Sequence, residues 1–294
     1  MPLESAARFS LKAGPVIVSL TLALCNGGCT ATSERERSVC GGFLEPLAFA
    51  SWSAMAPASD PRRLDGIAGV NAYDFAAGDG NTLRGYRIQA RNNRGEFIEN
   101  PRGYVLIAPG NAMAATHLAA DFVFLSALGY DVYILDYRGY ADSEGKRRLL
   151  ALTIDYTELV SHLSTKYAQT HLLGMSLGGI VILKAIHDGA PFTSAVVDSS
   201  PSTVTQFLCP KAFNPAANLP SDASRLLVIT AGRDRIIPPA ASEDLVSGAQ
   251  AAGARVFHCA ECQHPLTDTD PELIARRFRE IARFFSDMDE SSAP

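Results

Sequence analysis

Gly174-Met175-Ser176-Leu177-Gly178-Gly179 is the stretch of this chain best suited to chemistry. An apolar run, His171-Leu172-Leu173, leads into it, and Ile180-Val181-Ile182-Leu183 follows with helical potential. A serine in that context stands on a sharp turn from strand to helix, in strained backbone geometry. A side chain at either flanking glycine would crowd its neighbours. The serine also stands at a helix N-terminus, where free N–H groups and the helix dipole favour developing negative charge. Ser176 is therefore a candidate nucleophile, and a neutral serine needs a base beside it. The chain has six histidines. His162 and His171 precede the serine, His187 falls on the helix after it, His258 lies inside a late apolar run, and His264 lies just past that run. A third group must hold such a base. Asp198 and Asp234 each follow an apolar run of their own.

The elements that must position these residues alternate along the chain. Apolar runs at Asn71–Phe75 and Leu83–Gln89, joined across Gly78-Asp79-Gly80-Asn81, read as a hairpin. Short strands are expected at Tyr104–Ala108, Tyr130–Leu135, Thr170–Gly174, Ser194–Val197, Arg225–Thr230 and Arg255–Cys259. Helical spacing covers 115–128, 151–167, 177–188, 240–252 and 271–287. Strand–helix alternation predicts an α/β fold, a mostly parallel central sheet with helices on both faces and an antiparallel N-terminal edge. The Pro-, Ser- and Asn-containing stretch at about 199–224 is the natural place for a short lid.

The chain has 294 residues, of which 47% are hydrophobic and 19% charged, which suits one large folded domain rather than a disordered chain. The formal net charge is −5 and no basic patch stands out, so no nucleic-acid partner is expected. The N-terminus reads as an address. Arg8 and Lys12 precede an uncharged run, Ala13–Cys25, of 13 residues. A membrane-spanning helix needs about 20, so 1–29 is expected to be a signal peptide. Cys29 after Gly27-Gly28 resembles the bacterial lipobox, although Asn26 stands where leucine is usual. Two outcomes stay open, a lipid on Cys29 with attachment to a membrane, or cleavage nearby and a soluble protein. Both place the chain in a bacterial cell envelope, where disulfides form. Cys40, Cys209, Cys259 and Cys262 then allow three pairings, of which Cys40–Cys209 with Cys259–Cys262 is favoured because the last two are close in sequence. Residues 30–65 read as a linker and 66–290 as the catalytic domain.

The serine motif and three others resemble the α/β-hydrolase superfamily in its esterase, lipase and thioesterase branches. Leu226-Leu-Val-Ile-Thr-Ala-Gly-Arg-Asp234, followed by Ile236-Ile-Pro-Pro, is similar to the stretch that carries the acid. His264, after the last strand, stands where the base is placed, with Gln263 in place of a frequent glycine. Asp136-Tyr-Arg-Gly-Tyr-Ala-Asp-Ser-Glu-Gly145 departs from a family marker at Ala141 and implies a structural loop near the serine. Pro109-Gly110-Asn111 resembles the family's oxyanion loop with proline in place of histidine. The resemblance implies Ser176 as nucleophile, Asp234 as acid with Asp198 as runner-up, and His264 as base. It implies the N–H groups of Asn111 and Leu177 as the oxyanion hole.

The chemistry so implied is cleavage of a small-molecule carboxylic ester or thioester through an acyl-enzyme on Ser176. It needs no cofactor and no metal. Three alternatives use the same fold: a peptidase, an acyltransferase, and a non-catalytic envelope binding protein.

Overall fold

The computed structural model describes residues 34–54, 56–205 and 208–292, without the side chains of Trp52 and residues 290–292. The expected signal peptide at 1–29, with Cys25 and Cys29, lies outside the described residues. Eight strands form one sheet: β1 (Val70–Ala76), β2 (Thr82–Ile88), β3 (Gly103–Ala108), β4 (Tyr130–Leu135), β5 (Thr170–Met175), β6 (Ser194–Asp198), β7 (Leu226–Ala231) and β8 (Arg255–Cys259). Their spatial order is β1-β2-β4-β3-β5-β6-β7-β8. β1, β2 and β4 pair antiparallel, and every pairing from β4 through β3 to β8 is parallel.

Every residue of β3, β4, β5, β6 and β7 is buried. A parallel strand covered on both faces is largely apolar, which is why these segments read as near-continuous runs, and the polar residues they bury, such as Asp131, His171 and Ser194, have hydrogen-bond partners. The two-residue side-chain period divides them between two cores. Tyr104, Leu106 and Ala108 join α3 (Leu149–Ser164) and α4 (Leu177–His187) on one face, while Val105 and Ile107 join α2 (Ala115–Asp121) and α6 (Pro271–Ser292) on the other. α5 (Glu243–Ala251) sends Leu245 into the first core. Each fully buried Leu, Ile or Val contributes roughly 1.5–3 kcal/mol, so α4, with Val181, Ile182 and Leu183 all fully buried, is among the most firmly seated elements.

Two expectations need correction. The single helix over 115–128 is interrupted: Phe122 leaves helical geometry at φ −102°, ψ 9°, and Val123–Leu128 is a 3-10 helix. Side chains three apart eclipse in that geometry, and Phe122, Leu125 and Leu128 all pack in the same core. The 30–65 linker is folded from Glu34 onward. It holds helix α1 (Leu44–Ser53), buries Phe49 and Leu64, and is bonded to the lid through Cys40–Cys209. That helix has only ten residues, with Pro46 in its first turn, so periodicity did not reveal it. The lid itself is compact, with 3-10 turns at Lys211–Phe213 and Pro215–Asn218 tied by the Asn214 and Asn218 side chains.

A buried ion network anchors the same N-terminal segment. The Arg138 guanidinium is fully buried and reaches Asp155 at 2.6 Å, Asp79 at 2.7 Å and Glu36 at 3.3 Å. Arg35 adds contacts to Asp155 at 2.9 Å and Glu158 at 2.8 Å. Removing one partner of such a set leaves charge buried and unpaired. Arg138→Met is therefore expected to cost roughly 3–5 kcal/mol, read as a fall in melting temperature on the order of 10 °C by calorimetry. An unchanged melting temperature would contradict the network's stabilising role.

Candidate active site

Ser176 sits between β5 and α4 at φ 52°, ψ −111°. A non-glycine residue with positive φ persists only where its surroundings over-determine it. Here the Ser176 N–H donates to the Asp198 carbonyl at 2.8 Å, and the Ser176 carbonyl accepts from the Gly179 N–H at 3.1 Å and the Ser200 hydroxyl at 2.7 Å. A β-carbon on Gly174 would stand 2.5 Å from the Gly178 carbonyl oxygen, and one on Gly178 would overlap the Ala108 carbonyl. Both glycines are thus required by the close approach of α4 to β3 and β5.

His264 follows β8, and its Nδ1 lies 2.7 Å from Asp234 Oδ2. Asp234 follows β7, and its Oδ1 accepts the N–H groups of Ile236 and Ile237, each at 2.8 Å. Burial acts to raise the Asp234 pKa. The hydrogen bond from His264 and the two backbone N–H groups outweigh it, so the carboxyl is held below its ordinary value. With Nδ1 engaged, Nε2 is the ring nitrogen that can take a proton. Ser176, Asp234 and His264 are 9%, 4% and 5% exposed. Among the described residues, no hydrogen bond yet links the Ser176 hydroxyl to the ring, although both line one cavity. Such contacts commonly tighten only when substrate binds.

The loop carrying His264 is held from several sides. The Gln263 N–H donates to Asp268 Oδ1 at 2.9 Å, and its carbonyl accepts from Arg277 at 2.7 Å. Gln263 does not occupy the left-handed region, so the glycine usual in related proteins is not needed there. The Thr267 hydroxyl donates to the His264 carbonyl at 2.8 Å. The Cys259–Cys262 disulfide closes the turn before it, and the carbonyls of Cys259 and Cys262 accept the N–H groups of Gly232 and Arg233 at 2.8 and 2.9 Å. The base loop is thereby joined to the acid loop. Asp198, the runner-up acid, faces elsewhere: its Oδ2 lies 3.5 Å from Arg277 Nε and its Oδ1 accepts from the Ser199 hydroxyl. Burial pushes its carboxyl up, against the opposing pull of Arg277.

Asn111 and Leu177 border the same cavity as Ser176. The oxyanion loop is braced by two tyrosines of the Asp136–Gly145 stretch. The Tyr137 hydroxyl donates to the Pro109 carbonyl at 2.8 Å, and the Tyr140 hydroxyl to Asn111 Oδ1 at 2.5 Å. The sequence placed that stretch near the serine without revealing which side chains do the bracing. Arg277 had no sequence signal at all, being one of several arginines on α6. Ala141, the one departure from the marker, takes φ 43°, a conformation that favours glycine.

A second Ser–His–Asp set exists and differs in access. His171 Nδ1 lies 2.9 Å from the Ser194 hydroxyl and its Nε2 lies 3.0 Å from Asp289 Oδ1, but His171 and Ser194 are wholly buried. His258 is exposed and pairs with the Thr230 hydroxyl at 2.9 Å. His264 alone among these three histidines borders the cavity, which measures about 1040 Å³ and is walled mostly by apolar side chains.

The serine aminopeptidase, S33 family matches residues 99–221, which include β3 through the serine and most of the lid. The whole sheet and its helices are similar to solved hydrolases. A Pyrococcus furiosus esterase superposes with a TM-score of 0.57 at 16% identity, covering 79% of this chain and 96% of that one. This chain has the α/β-hydrolase fold. An α/β-hydrolase from Vibrio vulnificus gives a TM-score of 0.59 at 17% identity, covering 84% and 92%. A Mycobacterium tuberculosis puromycin-hydrolyzing peptidase gives 0.62 at 17% identity, with 74% of this chain but 39% of that one. No curated protein matches this chain in sequence.

Two expectations follow for this hydrolase. Asp234→Asn should lower kcat by about 10⁴, by the loss of the correct tautomer, and Asp198→Asn should cost far less; the reverse order in ester turnover would reassign the acid. Tyr140→Phe should lower kcat about tenfold with little change in KM, because a loosened oxyanion donor acts mainly in the transition state. A rise in KM alone would show that Tyr140 serves binding instead.

Proposed function

We propose that this chain is a serine hydrolase that cleaves a carboxylic ester or thioester through an acyl-enzyme on Ser176. The observation that carries the reading is the 2.7 Å pair between His264 and Asp234, in the same site as a serine held at positive φ on the elbow. In this scheme the Ser176 Oγ attacks the carbonyl carbon as its proton passes to His264 Nε2. The N–H groups of Asn111 and Leu177 stabilise the resulting oxyanion. Collapse breaks the bond to the leaving group, which takes the proton from His264. Water then attacks the acyl-enzyme, gives its proton to Nε2, and the serine leaves with that proton.

Peptide cleavage is the second reading, supported by the S33 match. An ester is favoured by the lining of the cavity. Of the two carboxylates on the cavity, Glu45 is occupied by the N–H groups of Val39, Cys40 and Leu149, and the exposed Asp121 is the one a free peptide amine would have to reach. We also read the protein as exported to a bacterial envelope, with a lipid on Cys29 or soluble release as the two outcomes. The disulfides Cys40–Cys209 and Cys259–Cys262 support an oxidising compartment.

The test is a fluorophosphonate probe followed by peptide mapping. One adduct on Ser176 is expected, absent from His264→Ala, together with loss of ester turnover in Ser176→Ala. A folded wild-type protein that forms no adduct would favour a binding scaffold over an enzyme.

A further inference from the structure

Helix α1 comes from a part of the chain upstream of the sheet, yet it borders the cavity that holds Ser176 and His264. Leu44, Ala48 and Phe49 of α1 line it, at spacings that place them on one side of a helix. Across from the same segment, Val204, Leu208 and Cys209 of the lid line it too. The two parts are joined by the Cys40–Cys209 disulfide, between residues 169 apart in sequence, and by the Gly41 N–H donating to the Leu208 carbonyl at 3.1 Å. Glu45 locks α1 from below. It is 2% exposed, and its carboxylate accepts the N–H of Cys40 at 2.9 Å and the N–H of Leu149, the first residue of α3, at 2.7 Å.

Most of the exposed large apolar side chains among the described residues gather at this place. Leu44, Leu208 and Ile236 are exposed and also line the cavity, while Phe43 and Leu47 stand exposed at the start of α1. The cavity, of about 1040 Å³, is at the upper end of ordinary ligand sites. Its α1 and lid side is apolar, with Leu44, Ala48, Phe49, Val204 and Leu208, while Arg63, His117 and Asp121 line another part. A flexible aliphatic chain would gain from each methylene removed from water.

We propose that α1 and the Leu208–Cys209 corner, clamped together by the Cys40–Cys209 disulfide, form a subsite for a long aliphatic chain, so that the substrates are esters whose acyl group is such a chain. This rests on the ester-hydrolase reading of Ser176. α1 is then the specificity-determining wall of the site, and the disulfide and Glu45 are the groups that position it.

The experiment compares kcat/KM over a series of p-nitrophenyl esters from acetyl to decanoyl, kept below their aggregation limits, with a parallel series of alkyl acetates. Selectivity for acyl length is expected to rise by about fourfold per methylene at first and to reach on the order of 100-fold from acetyl to decanoyl. Ala48→Trp, which fills the wall, should cut the decanoyl-to-acetyl ratio at least about tenfold. Cys40→Ala with Cys209→Ala should flatten the same slope; a slope unchanged in that variant would overturn the disulfide's part, and should it fail to fold, Ala48→Trp decides. A wild-type optimum at acetyl, or a length dependence found only among alkyl acetates, would overturn the acyl subsite. An independent arm titrates dansyl-undecanoic acid into Ser176→Ala by fluorescence, where at least about tenfold weaker binding is expected once Ala48→Trp is added. Fatty-acid binding without turnover of any ester would sink the hydrolase reading and leave the subsite standing, whereas turnover without a length dependence would sink the subsite alone.

Discussion

The backbone at Ser176 is the constraint around which the site is arranged. A serine at φ 52° is held in a region that costs of order 1–3 kcal/mol, and the fold supplies what keeps it there. Gly178 allows α4 to approach the Ala108 carbonyl at the end of β3, and the Asp198 carbonyl at the end of β6 receives the Ser176 N–H. The nucleophile is therefore positioned by three neighbouring parallel strands, β3, β5 and β6, whose register is set by burial on both faces. Asn111 follows β3 and Asp234 follows β7 at the same ends of their strands, and His264 follows β8. A parallel sheet places those ends on one edge, so residues far apart in sequence converge without any element bending to reach them.

That logic explains what the sequence revealed. Parallel strands inside the sheet are mostly short apolar runs, and Tyr130–Leu135 could be bounded from the sequence to the residue, as could the edge strand Arg255–Cys259, of which only Cys259 is buried. The elbow could be recognised because its glycines are sterically required, which constrains residue type at fixed spacing. Asp234 and His264 were legible for another reason, their order and their place after particular strands. What escaped notice obeys no local rule. Arg277 is one of several arginines on an amphipathic helix, and its importance lies in the Gln263 carbonyl and the Asp198 carboxylate it meets from another part of the chain. The role of Tyr140 depends on Asn111, 29 residues away. Helix α1 was hidden because a ten-residue helix with a proline in its first turn carries little periodic signal.

Charged groups do much of the bracing around the site, and they do it inside the protein. Asp198, Arg277 and Asp268 lie buried beneath the His264 loop, and Arg138 lies buried with Asp155, with the partly exposed Asp79 beside them. Buried ions of this kind are poor sources of net stability compared with apolar packing. Their advantage is directional. A guanidinium surrounded by carboxylates accepts few other arrangements, so the loops it joins have one register each. The sheet and helices supply stability through apolar burial, and these networks specify how the intervening loops close over it.

The two disulfides fit this division of labour. Cys259–Cys262 stiffens the turn that delivers His264, where the partners are only three positions apart in sequence and little chain entropy is removed. Cys40–Cys209 spans 169 residues and ties on a segment that has few contacts of its own with the sheet. In the chain-entropy account the longer loop gains far more from its cross-link, and a short helix with an exposed apolar face needs that gain more than any other element here. One bond therefore refines the geometry of the His264 loop, and the other keeps in place a wall of the cavity that the sheet does not itself provide.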